Sequence, residues 1–321
     1  MQTFSELLKQ FENYFSIHHF PNRAKNLYEP CSYLLNIGGK RIRPVLCLMS
    51  HELYNPLSES VWNAAVAIEL FHNFTLMHDD IMDKAPLRRG VQTVHEKYDL
   101  STAILSGDVM NIFTYVHLSK IDISYLKQSL ELFNKTAIQI CEGQQFDMDF
   151  EKRNEISVEE YLNMIQLKTS VLLGMSLKLG ALLGGATDSS SDILFDFGKE
   201  MGIAFQMKDD YLDAFGDSQK TGKQIGGDIL CNKKTYLYAK GYEIVNAEQK
   251  EIFNNLLSRN DPQKVNDTIA FYEKIGAKEH LLNEVISHTH KAFELLEEVP
   301  VVSKRKFALR ELAENLLNRE Y

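Results

Sequence analysis

Residues 61–78 read VWNAAVAIELFHNFTLMH, and this stretch decides the fold class. Val61, Ala65, Ile68 and Phe71 with His72 recur three and four apart, the spacing that lines one face of an α-helix. The alanines favour helix intrinsically. The same periodicity runs through residues 101–120, 124–148, 158–182, 191–215, 232–258 and the C-terminal third. Alternating strands joined by hairpin dipeptides are missing. Breakers fall between the periodic segments: Pro30, Gly38-Gly39, Pro56, Pro86, Gly90, Gly184-Gly185 and a Gly-rich stretch at 216–227. No composition shift, Ser/Pro-rich linker or fixed-period repeat divides the chain. Residues 1–321 therefore read as a single all-α domain, one large bundle of roughly ten helices or more.

Composition narrows the function classes. In 321 residues, 35 Lys and Arg against 44 Asp and Glu leave a net charge of −9, which argues against nucleic acid as the main partner. A hydrophobic content of 44% with only 17 Gly and 7 Pro excludes a disordered chain. The N-terminal MQTFSELLKQFENYF has helical spacing and lacks the basic start and uninterrupted apolar run of a signal peptide. The most apolar region, residues 171–185, contains Lys178 and is too short for a membrane span. Cys31, Cys47, Cys141 and Cys231 form no CxxC pair, so reduced thiols and a cytoplasmic location are expected.

The sharpest local feature is Asp79-Asp80-Ile-Met-Asp83 at the end of the alanine-rich helix. Residues four apart share a helix face about 6 Å apart along the axis, so Asp79 and Asp83 repel unless solvent or a cation intervenes. One such cluster equally suits a solvated helix end. The pattern recurs 130 residues later as Asp209-Asp210-Tyr-Leu-Asp213, again after an apolar run. Facing each other across a bundle core, the two would offer hard oxygen ligands suited to Mg²⁺, which completes its shell with water and phosphate. The EF-hand loop pattern and the Glu-x-x-His pairs of a di-iron bundle are absent.

A metal-bridged diphosphate needs counter-charges, and cations stand near the breakers. Arg88 and Arg89 follow Pro86; Lys40, Arg41 and Arg43 follow Gly38-Gly39, where a helix should start with Pro44 in its first turn. Lys168-Thr169 lies in a helical stretch, and Lys223 and Lys233 follow the second acidic motif. Each alone is more often a surface charge; the weight lies in the combination.

In order along the chain stand GGKRIRP, HDDIMDKAPLRRG, GQQFD, KTS, FQMKDDYLD, GDI and NKKT. Over residues 36–237 this resembles the trans-isoprenyl diphosphate synthases, the short-chain polyprenyl synthetases that include farnesyl and geranylgeranyl diphosphate synthases. The resemblance implies the all-α isoprenoid synthase fold with a central cavity, a homodimer, and about three Mg²⁺ ions per site. It implies Asp79, Asp83 and Asp209 as metal ligands, supported by Asp80, Asp210 and Asp213. It assigns Arg88, Lys168, Lys223 and Lys233 to the allylic diphosphate, and Lys40, Arg43, His72 and Arg89 to isopentenyl diphosphate, which needs no metal. Thr169, Phe205 and Gln206 would line the reacting centre, with Gln144 and Asp147 behind basic or metal-bound groups. Cys231 departs from the pattern, standing where an acidic residue often precedes Asn-Lys.

The chemistry so implied breaks an allylic C–O bond without a protein nucleophile. Phe74 and Thr75, five and four residues before Asp79, would face the growing chain one turn below the metal ligands and set its length. In the family an aromatic here shortens products; one aromatic beside a small residue looks most like a geranylgeranyl pattern, with farnesyl the alternative. Two rivals stand further off. A class I terpene cyclase needs no isopentenyl diphosphate site, against GGKRIRP and Arg89; a non-catalytic partner subunit should have lost one acidic motif, and both are intact.

Overall fold

The computed structural model describes residues 1–16, 20–21, 23–216 and 225–317. They are almost wholly helical, as expected, and fall into two compact units.

The first unit comprises Met1–Leu132 and Ser176–Ser191. It holds α1 (Phe4–Phe15), α2 (Lys25–Asn36), α3 (Ile42–Glu52), α4 (Glu59–Met82), a hairpin of β1 (Leu87–Arg88) and β2 (Val91–Gln92), α5 (Val94–Lys97) and α6 (Leu100–Leu118). The start of α7 (Ile123–Glu151) and the end of α9 (Val171–Leu183) also belong to it. Thr3 and Glu6 close a capping box on α1, which buries Leu7, Phe11 and Phe15 at four-residue spacing. Ser58 caps α4, whose residues from Ala64 to Phe71 are each at most 3% exposed. A helix apolar all round is one that neighbours enclose, and its alanines let them approach closely.

Three expectations are corrected here. Pro30 lies inside α2 and is buried, so its ring fills the core at the cost of a helical hydrogen bond. A hairpin does exist: Arg89 (φ 52°) and Gly90 (φ 80°) make its left-handed turn, and two residues per strand are too few to show alternation. In the second unit, residues 232–258 form two helices, because Asn246 caps a new one in a box with Gln249.

The second unit comprises Phe133–Met175 and Asp192–Tyr321. It holds the rest of α7, α8 (Val158–Ile165), a π turn (Gln166–Ser170), the first residues of α9, and α10 (Asp188–Phe215) from Asp192 onward. There follow α11 (Gly227–Leu230), α12 (Tyr236–Ile244), α13 (Ala247–Ser258), α14 (Lys264–Lys274), α15 (Ala277–Glu298) and α16 (Ser303–Leu317). Phe150, Tyr161, Met207, Tyr236, Phe253 and Leu281 sit in its core. Each acidic motif thus stands in the last turns of a long helix, α4 in one unit and α10 in the other.

Candidate active site

In the first unit α4 ends at Met82, and Asp83 caps it through an N–H bond to the Asp79 carbonyl. Asp79 is half-buried and Asp83 exposed. Asp80, a third of a turn round, is 2% exposed and takes Arg88 Nε at 2.8 and 3.0 Å and Arg88 Nη2 at 2.8 Å. Two residues assigned to different tasks are therefore partners. The pair is charge-assisted and bidentate, and it ties β1 to the acidic end of α4.

Beside it the GGKR turn packs on the hairpin. Gly38 (φ 90°) and Gly39 (φ 157°) open the turn, and a Cβ on Gly39 would stand 3.0 Å from Arg89 Nη1. Arg41, itself left-handed (φ 47°), donates to the Glu69 carboxylate and at 2.7 Å to the Leu35 carbonyl, with its guanidinium 5.3 Å from the centre of the Phe15 ring. Glu69 is 3% exposed and also accepts from Asn73 Nδ2 at 2.9 Å. Arg43 Nη1 lies 3.3 Å from His72 Nε2. Burial brings the Arg43 guanidinium down to about 10, with Glu69 acting the other way. Burial, then Arg88 and Arg41, lower Arg89 as well. Four guanidinium groups against the carboxylates of Glu69 and Asp80 make a positive pocket. It brings together Arg43, His72 and Arg89, and Lys40 is exposed on the same turn. Sequence reasoning missed Arg41 and Glu69 as the frame of this pocket; a lone Glu inside an apolar helix was the signal.

Phe74, partly buried, stands in an aromatic row on α4, 5.7 Å from Phe71 and 4.8 Å from His78 between ring centres. The Thr75 hydroxyl donates to the His72 carbonyl at 2.8 Å. Gly107 of α6 makes room for His78: a Cβ there would fall 2.2 Å from Nε2.

In the second unit the π turn interrupts what reads as one helix over 158–182, with Val171 N–H bonding the Gln166 carbonyl five residues back. Two glycines grip it. A Cβ on Gly143 of α7 would meet Lys168 N at 2.3 Å, and one on Gly202 of α10 would meet Ser170 Cα at 2.8 Å. One turn beyond Gly143, Asp147 Oδ2 receives Lys168 Nζ at 2.5 Å. The GQQFD element therefore works by close approach at its Gly and ion pairing at its Asp.

Asp210 is 5% exposed and accepts the Tyr161 hydroxyl at 2.6 Å, the Tyr236 N–H at 3.1 Å and Gln206 Nε2 at 3.4 Å. Burial, then Asp228, raise its carboxyl to about 7. Asp213 Oδ2 accepts the Asp228 N–H at 3.1 Å, and Lys233 Nζ lies 3.6 Å from Asp228 Oδ1. A cavity of about 70 Å³ brings Lys168, Thr169, Gln206 and Lys233 together with the unexpected Tyr161 and Lys234. Phe205 is half-buried and is not among its lining residues. Lys223 lies outside the described residues.

The two motifs share one design: the middle aspartate is buried and engaged within its own unit, by Arg88 in one and by Tyr161 and Tyr236 in the other. Among the described residues no three His, Cys, Asp or Glu converge on a metal position. Mg²⁺ is satisfied by one or two carboxylates with waters and substrate phosphates, so Asp79 with Asp83 in the first unit, and Asp209 in the second, have the donor chemistry it takes.

The family model of polyprenyl synthetases matches residues 24–275, wider than the motifs alone span. A geranylgeranyl diphosphate synthase of Methanosarcina mazei is 36% identical over 303 residues, covering 93% of this chain and 91% of that protein. The crystal structure of a geranylgeranyl pyrophosphate synthase superposes with a TM-score of 0.94 at 41% identity, over 100% of both chains. That of geranylgeranyl pyrophosphate synthetase from Pyrococcus horikoshii superposes with a TM-score of 0.92 at 32% identity, over 99% of this chain and 98% of that one.

Proposed function

The chain belongs to the polyprenyl synthetase family, and from that premise we propose that it condenses isopentenyl diphosphate head-to-tail with an allylic diphosphate to give geranylgeranyl diphosphate. The observation that carries this is the pocket of Arg43, His72 and Arg89 beside the first acidic motif, whose charge would take a diphosphate without a metal. Phe74 keeps farnesyl diphosphate as a second product, since its ring stands one turn before Asp79.

Asp79, Asp83 and Asp209 are the residues that would hold Mg²⁺, with Asp80, Asp210 and Asp213 orienting them. The metal supplies charge to a leaving diphosphate. The allylic C–O bond breaks with its electron pair going to oxygen; Arg88, Lys168, Lys223 and Lys233 hold the departing group. The Lys168 carbonyl and the Thr169 hydroxyl face the allylic cation, and Gln206 lines the same wall, with Phe205 next to it in sequence. The alkene of isopentenyl diphosphate attacks, and a proton passes from the new bond's neighbour carbon to the released diphosphate. Apolar helices exclude water from the cation.

Residues 1–321 act as one catalytic domain in this proposal, supported by a family match that includes segments of both units. A homodimer is supported by the exposed apolar stripe of α6, Ile104, Leu105, Ile112, Tyr115 and Val116. The location proposed is the cytoplasm, where Cys31, Cys47 and Cys231 would stay reduced, as they stand here outside any disulfide; no helix among the described residues is long and apolar enough to cross a membrane.

The test is turnover by the purified chain with Mg²⁺, isopentenyl diphosphate and each allylic starter, with products sized by chromatography. Product should form only with both substrates present. Product from an allylic diphosphate alone would mark a cyclase, and no turnover a partner subunit.

A further inference from the structure

The positive pocket of the first unit includes an imidazole, His72. His72 on α4 faces charges from three elements: Arg41 and Arg43 from α3 and its cap, Arg88 and Arg89 from the hairpin, and Glu69 from its own helix, with Asp80 engaged by Arg88. A guanidinium carries donors only. Arg43 Nη1, 3.3 Å from His72 Nε2, must therefore donate to it, which requires a lone pair on Nε2 and an imidazole that is neutral with its proton on Nδ1. The electrostatics agree: burial, followed by Arg43, Arg89, Arg88 and Arg41, holds the imidazole well below the ordinary histidine range. A second observation marks the Arg43 side chain as incompletely satisfied. Its Nε is buried and has no hydrogen-bond partner among the described residues.

Four guanidinium groups against the two carboxylates of Glu69 and Asp80 leave an excess of positive charge that disfavours one more, and a neutral imidazole avoids it. A diphosphate reverses the sign of the local field. We propose that His72 takes up a proton when a diphosphate enters this pocket, changing from acceptor for Arg43 to donor for a phosphate oxygen. Arg43 Nη1–H turns from the imidazole to the anion, solvent supplies one proton to Nε2, and no covalent bond to the ligand forms or breaks. This inference rests on the proposal that isopentenyl diphosphate binds here.

The test is titration calorimetry of the full chain with isopentenyl diphosphate in a chelator, so that no metal contributes, near pH 7.5 in two buffers of different ionisation enthalpy. The dependence of observed heat on buffer enthalpy counts protons exchanged. Protons lost by the ligand itself are common to the wild type and His72→Gln, a neutral side chain with one donor group and one acceptor. The wild type should take up about one proton more per site than the variant. Equal proton counts would overturn the inference and leave the binding assignment standing. No binding to the wild type would overturn that assignment, and the inference with it. Where the variant alone binds too weakly to titrate, the imidazole nitrogens of ¹⁵N-labelled wild type decide. Nε2 should move from an unprotonated to an imidazolium position on saturation, and an unmoved signal overturns the inference.

Discussion

Arg88 meets the carboxylate of Asp80 end-on, with Nε 2.8 Å from Oδ2 and 3.0 Å from Oδ1, and Nη2 2.8 Å from Oδ1. Asp79, next to it in sequence, points elsewhere on the helix and is half-buried. The buried aspartate of the motif thus ties β1 to the end of α4, while its neighbour is the one proposed to hold Mg²⁺.

Asp80→Ala strands the Arg88 guanidinium beside a buried hole and should cost about 3 kcal/mol of stability. Asp79→Ala should leave the chain folded while lowering turnover by about 10²-fold or more. Chelation of Mg²⁺ should stop the reaction, and added Mg²⁺ should restore it. Thermal melts and steady-state rates on both variants check the division. Wild-type turnover in Asp79→Ala would sink the metal assignment.

Gly143→Ala pits two effects of opposite sign. Helix propensity favours alanine by about 1 kcal/mol. The new methyl, however, would stand 2.3 Å from Lys168 N and 2.8 Å from the Leu167 carbonyl carbon, backbone that cannot swing aside, and overpacking costs about 1–3 kcal/mol. The variant should melt lower and turn over more slowly, because the π turn carries Lys168 and Thr169. A variant more stable than wild type would show that the π turn yields freely.

Phe74→Ala should lengthen the products by at least one isoprene unit, read by chromatography of the dephosphorylated chains. The ring stands among Phe71 and His78, so its loss opens space along the face of α4 that precedes Asp79. An unchanged product distribution would make Phe74 a packing residue only.

Glu200 supplies a pH dependence. Its side chain is 4% exposed and accepts His288 Nδ1 at 2.6 Å and Lys291 Nζ at 2.7 Å, linking α10 to α15. Burial alone would raise the carboxyl; His288 and Lys291 outweigh it and hold it below its usual value. A lowered folded value means that the unfolded chain binds more protons in this window. The contribution is therefore complete above the unfolded value of about 4.3 and is lost as pH falls through the folded one. Glu200→Gln should lose about 2 kcal/mol at pH 7. Urea unfolding at pH 7 and near pH 3 should show that difference shrinking on acidification.

Helix α4 was legible because its periodicity is local, and so were the acidic ends of α4 and α10, whose carboxylates at i and i+4 share a face whatever surrounds them. The hairpin was not, since two-residue strands carry no alternation and only left-handed Arg89 and Gly90 reveal the turn. Lys168 was recognisable as a candidate diphosphate-binding cation, but its partner Asp147 stands 21 residues away on another helix, beyond any spacing rule.

The amino-acid order by itself determined a predominantly helical protein and the shared face of the outer aspartates in each motif, because helix geometry converts spacing directly into a shared face. Only the tertiary structure decided that the middle aspartate of each motif is buried, that Arg41 and Glu69 frame the positive pocket, and that Arg43 Nη1 comes within 3.3 Å of His72 Nε2. Those outcomes depend on what distant segments bring to within hydrogen-bonding distance, and on how much water their packing removes.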